Sequence, residues 1–212
     1  MGSSTISKFA DDTKLCRAVG DDQEADIFRE DLRRMFRWSQ DWQMLFNLEK
    51  GSVMHMGKRN QELSYEIGGK VLKLSEEERD LGVIMHCRSA KPSRQCAEAS
   101  KKANSTVGPI RRTIVTRDKD TILRLYKSLV RPQLEYCIQV WSPYLKHDME
   151  KLEKVQRRVT KMIHGCKYSS YKERLIRCGL TTLEERRSRG DIIEAYKIIT
   201  GRNRYSGRGS LS

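Results

Sequence analysis

The sequence predicts an α+β protein: short antiparallel strands with one packed helix over residues 1–88, an all-helical region over 89–201, and a tail at 202–212. Three observations lead there. Turn signals between short strand-like runs are confined to residues 1–85. Beyond Ser93, apolar residues recur at three-four spacing, the period of an amphipathic helix. Charge divides in the same way, because residues 1–100 carry 16 Lys+Arg against 17 Asp+Glu, whereas residues 101–212 carry 26 against 11. The whole net charge of +14 therefore lies in the second half, and such asymmetry points to a polyanion partner, most simply nucleic acid. A solvated basic helical surface is the plainer alternative.

At 212 residues the chain can bury a proper core. No apolar run approaches the roughly 20 residues of a membrane span, and no basic-then-apolar leader pattern opens the sequence. Met1-Gly2 begins like a myristoylation site, but Ile6 stands where Ser or Thr is required. An intracellular protein of nucleus or cytoplasm, with no membrane partner, is expected. Cys16, Cys87, Cys96, Cys137, Cys166 and Cys178 include no Cys-x-x-Cys pair and are read as reduced thiols. His164, Cys166 and Cys178 supply three zinc-ligand types without an obvious fourth, so packed thiols and a surface histidine are expected instead.

The first element is a hairpin. Ile6–Phe9 and Thr13–Val19 are strand-like and flank Ala10-Asp11-Asp12, which places two adjacent carboxylates at the tip. Such a pair is a candidate for binding Mg²⁺ through oxygen, and it is also what many polar turns contain. Gly20-Asp21-Asp22 starts a helix to about Trp42, with Phe28, Leu32, Met35 and Trp42 on its apolar stripe. Trp38 and Trp42 are expected to pack rather than stack on bases. A short strand at 52–56 follows, then a hairpin turning at Gly68-Gly69, an acidic spacer at Glu76-Glu77-Glu78 and one strand over Asp80–Met85.

In the second half, Ser93–Ile114 is a basic helix carrying Lys101, Lys102, Arg111 and Arg112, with a break or kink expected at Gly108-Pro109. Another helix starts at Asp118, buries Leu123, Tyr126, Leu129 and Val130, is interrupted by Pro132 and resumes to Trp141. Residues 147–164 form an amphipathic helix whose polar face carries Lys151, Lys154, Arg157, Arg158 and Lys161. That stripe is able to lie along phosphates. Tyr171–Arg177 is a short helix, and Thr182-Leu183-Glu184-Glu185 is a capping box opening a helix to about Ile199. The Gly-, Arg- and Ser-rich tail from Arg202 is expected to be disordered.

Five ordered stretches carry a family resemblance: Ser7-Lys8-Phe9-Ala10-Asp11-Asp12-Thr13-Lys14-Leu15; Trp38 to Lys50, as Trp-Ser-x-x-Trp-x-x-x-Phe-Asn-x-x-Lys; Asp80-Leu81-Gly82-Val83; Leu125 to Tyr136 with Val140-Trp141-Ser142-Pro143; and Leu152 to Lys161, continued by Leu183 to Asp191. Together they resemble the reverse transcriptases of non-LTR retrotransposons, of the LINE and jockey-like kind, in the C-terminal palm and thumb portion. The resemblance implies that Asp11 and Asp12 are palm carboxylates for Mg²⁺ and that Lys50 sits near the leaving pyrophosphate. It implies that Leu81 and Gly82 belong to a primer-grip strand. It further implies that Lys101, Lys102, Arg111, Arg112, Lys154, Arg157, Arg158 and Lys161 grip an RNA template and DNA primer, or their hybrid duplex, through phosphates. The intact parent would carry out Mg²⁺-dependent nucleotidyl transfer. These polymerases use a further Asp from an earlier palm strand and a fingers region, so this chain is expected to need a missing N-terminal polymerase portion and to be inactive alone. A non-catalytic basic nucleic-acid-binding module, or an orphan fragment, is the alternative.

Overall fold

The computed structural model describes residues 4–57, 60–87 and 92–202, and the chain divides into two compact units, Met1–Ala90 and Lys91–Ser212. The architecture is α+β, with all strands in the first unit and mostly helix in the second. Residues 203–212, which hold nearly all of the tail expected to be disordered, lie outside the described residues. Among those described, no helix is long and apolar enough to cross a membrane.

In the first unit, β1 (Thr5–Phe9) and β2 (Asp12–Cys16) pair antiparallel, in register from Thr5↔Cys16 to Phe9↔Asp12. Helix α1 (Asp22–Asp41) starts where the Asp21 carboxylate accepts from the Glu24 amide at 2.8 Å, satisfying one of the orphan donors of a helix N-terminus. Its inner face meets a cluster centred on Leu32, Tyr65 and Ile67, with Leu15, Phe28, Phe36 and Leu72 packed against it. Trp42 does not join that stripe: it is the C-cap residue and 68% exposed, because the helix ends before a further turn could bring it inward.

The remaining strands form separate two-stranded pieces. β3 (Ser52–Val53) pairs in parallel with β6 (Lys73–Leu74), while β4 (Glu66–Ile67) and β5 (Lys70–Val71) are antiparallel. Gly68 and Gly69 form the turn between β4 and β5, both at positive φ (57° and 78°), the backbone that a two-residue hairpin with both central residues left-handed requires. The expected acidic spacer is a strand instead: β7 (Glu77–Asp80) pairs antiparallel with β8 (Val83–His86). Leu81-Gly82 is accordingly a hairpin turn rather than the middle of one strand, with φ of 46° and 81°.

The second unit is built on α2 (Ser93–Thr113) packed against α6 (Lys146–Met162). Pro109 does not break α2; it lies one turn from the C-terminus and the helix runs through it. From Lys119 the chain is helical as α3 (Lys119–Leu125), a π-helical turn (Tyr126–Val130) and α4 (Arg131–Glu135). Pro132 therefore interrupts nothing. A proline clashes with the carbonyl four residues back and lacks the N–H that would bond it, and the wider π turn just before it accommodates both. The helix stops at Tyr136, and Cys137 takes φ 50° before α5 (Ile138–Trp141). Leu129, expected on the buried stripe, is 47% exposed, because the π turn advances less per residue and rotates it outward.

Helices α7 (Tyr171–Cys178) and α8 (Leu183–Ile199) open with capping boxes at Ser170 and Thr182. Gln156, fully buried on α6, connects these parts. Its Oε1 accepts from the Tyr126 hydroxyl, and its Nε2 donates to the Tyr171 hydroxyl and the Thr181 carbonyl, both at 2.9 Å. Beside it, Glu153 accepts from the Tyr171 hydroxyl and from the Leu183 amide (3.0 Å), fixing the start of α8. Burial pushes the Tyr126 and Tyr171 phenols up, so both stay donors across the physiological range.

Two substitutions test this packing by chemical denaturation. A Cβ at Gly68 would lie 2.5 Å from the Phe36 Cζ on a left-handed backbone, so Gly68→Ala should cost about 2 kcal/mol. Gln156→Leu keeps the volume but strands a buried hydroxyl and a carbonyl, and should cost about 3 kcal/mol.

Candidate functional site

The Asp11–Asp12 hairpin is anchored along α1. At its base the Arg17 guanidinium reaches Asp31 at 3.7 Å and the Ser4 hydroxyl at 3.2 Å, and Ser4 donates to Asp31 at 2.5 Å. Seven residues further along the helix, the Lys8 ammonium sits 4.4 Å above the Trp38 ring. Trp38 is therefore not a core residue as expected: it is exposed, with a lysine over its ring. The tip is a two-residue loop, Ala10-Asp11, in which Ala10 holds φ 52°. A left-handed non-glycine residue costs about 1–2 kcal/mol, and such outliers persist only where the surroundings impose them.

Asp11 and Asp12 are both exposed, and neither carboxylate has a hydrogen-bond or ion-pair partner among the described residues. Free, hydrated carboxylates at a hairpin tip fit a hard cation that keeps several waters, as Mg²⁺ does. They do not amount to a closed protein cage: no group of three His, Cys, Asp or Glu among the described residues is placed to hold a metal ion.

The second hairpin, β7–β8, is joined to the first. The Lys14 ammonium of β2 pairs with the Asp80 carboxylate at the end of β7, next to Leu81-Gly82. The two stretches singled out on separate grounds in the sequence are therefore brought together, and each tip carries a left-handed non-glycine residue, Ala10 and Leu81. Lys50 lies in an exposed turn where its amide donates to the Asn47 carbonyl at 3.1 Å. No hydrogen bond or ion pair among the described residues ties its side chain to either hairpin. Its neighbour Glu49 pairs with Lys70, whose hydrogen bond holds the Glu49 carboxyl below the usual range.

In the second unit, Lys154, Arg157, Arg158 and Lys161 are exposed at i, i+3, i+4 and i+7, one face of α6 spanning about 10 Å. Arg158 is held against α2 by the Asn104 side-chain oxygen at 2.5 Å, and the Arg157 guanidinium lies 4.8 Å from the Tyr171 ring. On α2, Lys101, Lys102, Arg111 and Arg112 are exposed, and Lys101 and Arg112, eleven residues apart, return to the same face after three turns. None of these four, nor Lys154 or Lys161, has an ion-pair partner among the described residues. The acids that neutralise cations in this unit do so elsewhere, as Asp148 with Lys151 and Glu135 with Arg186. Arg111 and Arg112 also stand in the last turn of α2, where the helix dipole favours positive charge.

Sequence reasoning missed Lys14, Asp80 and Asn104. A long-range ion pair between two hairpins leaves no periodic signal, and a lone Asn on a basic helix carries none either.

Comparison with known proteins adds relatives at low identity. The chain is 22% identical over 172 residues to a probable RNA-directed DNA polymerase from transposon X-element of Drosophila melanogaster, an alignment that covers 79% of this chain and 19% of that protein. It is 24% identical over 169 residues to the RNA-directed DNA polymerase from mobile element jockey of Drosophila funebris, covering 77% and 18%. The chain thus spans about a fifth of the length of the curated relatives it matches. No family model and no solved structure matches it.

The Lys14–Asp80 pair is half exposed, so a double-mutant cycle with Lys14→Ala and Asp80→Ala should return a coupling of only about 0.2–1 kcal/mol. Ala10→Gly should stabilise the first unit by about 0.5 kcal/mol, the relief of left-handed strain less the added chain entropy. Both are read by denaturant unfolding.

Proposed function

We propose that this chain is the C-terminal palm and thumb portion of a non-LTR retrotransposon reverse transcriptase, presenting a carboxylate hairpin to the reacting phosphates and holding the template–primer. The observation that carries the reading is the pairing of two hairpins through Lys14 and Asp80, one bearing Asp11-Asp12 and the other Leu81-Gly82. The polymerase relatives align with most of the chain, which supports the same reading.

Asp11 and Asp12 would supply carboxylate oxygens to Mg²⁺, with water, substrate phosphate oxygens and a further carboxylate completing its shell. Bound there, Mg²⁺ would activate a 3′-hydroxyl and offset charge on a triphosphate. Lys50 would place a positive charge near the leaving pyrophosphate or donate a proton to it. Leu81 and Gly82 would offer a backbone turn against which a primer end can rest, and the Lys14–Asp80 pair links that hairpin to the one bearing the carboxylates. The exposed cations of α2 and α6 hold an RNA template with its DNA primer through phosphates, which requires charge and little sequence reading.

A second reading, a nucleic-acid-binding module without metal chemistry, is favoured by the charge of the second half alone. One experiment separates the two. RNA–DNA hybrid duplex is titrated at rising salt, and Mn²⁺ is added to follow line broadening of backbone amides by NMR. Binding should weaken steeply with salt and show little sequence preference. The combined Lys154→Ala and Lys161→Ala variant should flatten the log K against log salt slope by about one for each phosphate it no longer neutralises. Mn²⁺ should broaden residues 9–13 first, and Asp11→Asn should abolish that effect. Duplex binding without hairpin broadening selects the second reading. Affinity unchanged from low to high salt sinks both.

A further inference from the structure

The two long helices that pack together in the second unit run in the same direction. Near their starts the Ser93 hydroxyl donates to the Asp148 carboxylate at 2.5 Å. About three turns further along both, Arg158 donates to the Asn104 side-chain oxygen, also at 2.5 Å. The C-terminal ends of α2 and α6 therefore lie at the same end of the unit, and two further segments are tied there. The His164 amide, just past α6, donates to the Arg117 carbonyl in the loop after α2 at 3.0 Å. The Arg177 guanidinium of α7 donates to the Gly165 carbonyl at 2.9 Å.

This end gathers Arg111, Arg112, Arg117, Lys161, Lys167 and Arg177, all exposed and none with an ion-pair partner among the described residues. The acids nearby serve helix starts instead. Asp118 accepts from the Thr121 amide at 3.1 Å, Glu173 accepts from the Ser170 amide at 2.9 Å, and Asp120 stands in the first turn of α3. A cationic end alone marks a place for phosphates. A tyrosine set among the cations says more.

Tyr168 and Tyr171, three residues apart, are held in opposite ways. Tyr171 is half-buried, its hydroxyl in the network of Glu153 and Gln156, its ring 4.8 Å from the Arg157 guanidinium and 5.4 Å from that of Arg174. Tyr168 is 91% exposed, with the Lys167 ammonium 5.3 Å from its ring centroid. The backbone on both sides of that open ring is nevertheless fixed. Cys166 is buried and its carbonyl accepts from the Ser169 amide at 3.4 Å, while the buried Arg174 donates to the Ser169 carbonyl at 2.7 Å. An aromatic ring presented on a pinned turn loses little freedom when a second ring lies on it.

A duplex keeps its bases stacked inward and offers phosphates and base edges, so a bare ring finds no free face there. An unpaired base offers its whole face, and aromatic side chains among cations hold single strands in this way. We infer that this end of the second unit takes an unpaired stretch of nucleic acid, its phosphates on the gathered cations and one base stacked on Tyr168. The inference rests on the nucleic-acid reading proposed above, and adds to it a class of strand and a residue outside the two basic helix faces.

Fluorescence anisotropy of the whole chain with three probes tests it: oligouridine, an abasic oligomer of equal length and charge, and a blunt RNA–DNA hybrid duplex. Tyr168→Ala, at a position open to solvent, should weaken oligouridine binding about fivefold or more, the low end of what one stacked base contributes. It should leave the abasic oligomer and the duplex unchanged, and the salt slope as it was, since no charge is removed. Tyr168→Trp should bind oligouridine at least as tightly as the native chain. Oligouridine binding indifferent to Tyr168→Ala overturns the inference. So does an equal loss on all three probes, or a Tyr168→Trp variant as weak as the alanine one. In each of those cases salt-dependent duplex binding by the native chain leaves the nucleic-acid reading standing. If the native chain binds none of the three probes, both fall.

Discussion

The buried amide of Gln156 is the constraint on which the second unit turns. A side-chain amide without water must find partners for both its donor and acceptor atoms, or lose a few kcal/mol of desolvation. Here the partners come from the π turn, from α7 and from the loop ahead of α8. Satisfying one residue therefore fixes three neighbours of α6. It also fixes the roll of α6 itself. With Gln156, Val155, Leu152 and Val159 held inward, Lys154, Arg157, Arg158 and Lys161 have nowhere to go but outward. The basic face is a by-product of the polar core behind it.

The first unit relies on something different. Its strands are short and its pieces two-stranded, so backbone pairing alone does little to place the hairpins. Side chains place them instead: Leu15 in the core beneath α1, Arg17 and Ser4 on Asp31, Lys8 over Trp38, and Lys14 on Asp80. Most of these involve charges near the surface, individually worth little. Several weak links holding two left-handed tips would let the proposed site adjust when phosphates and a cation arrive.

Much of this was legible in the residues. The Asp11-Asp12 tip, the Gly68-Gly69 turn, the Asp21 cap, the Thr182 capping box and the stripe of α6 all follow from local chemistry that acts over a few residues. The departures arise where a distant neighbour overrides local preference. Glu77 and Glu78 look like solvated spacer residues, yet pair with His86 and Met85 in a ladder. Trp42 has the right spacing for burial, but its helix ends first. The placement of Lys14 beside Asp80, and the choice of Gln156 as the buried hub, depend on tertiary geometry that no window of sequence encodes.

The π turn at Tyr126–Val130 sets the phase of everything after it. Ile122, Tyr126, Val130 and Leu134 are all buried, a repeat of four that would drift by about 40° at each step on a regular α-helix. The wide turn absorbs that drift, so one helical stretch keeps a straight apolar seam with a period its backbone would not otherwise support. The loss of one residue there would not simply shorten the stretch. It would swing Glu135 around the axis by roughly a quarter turn and away from Arg186, so the anchorage of α8 depends on the residue count of a helix it follows by almost fifty positions.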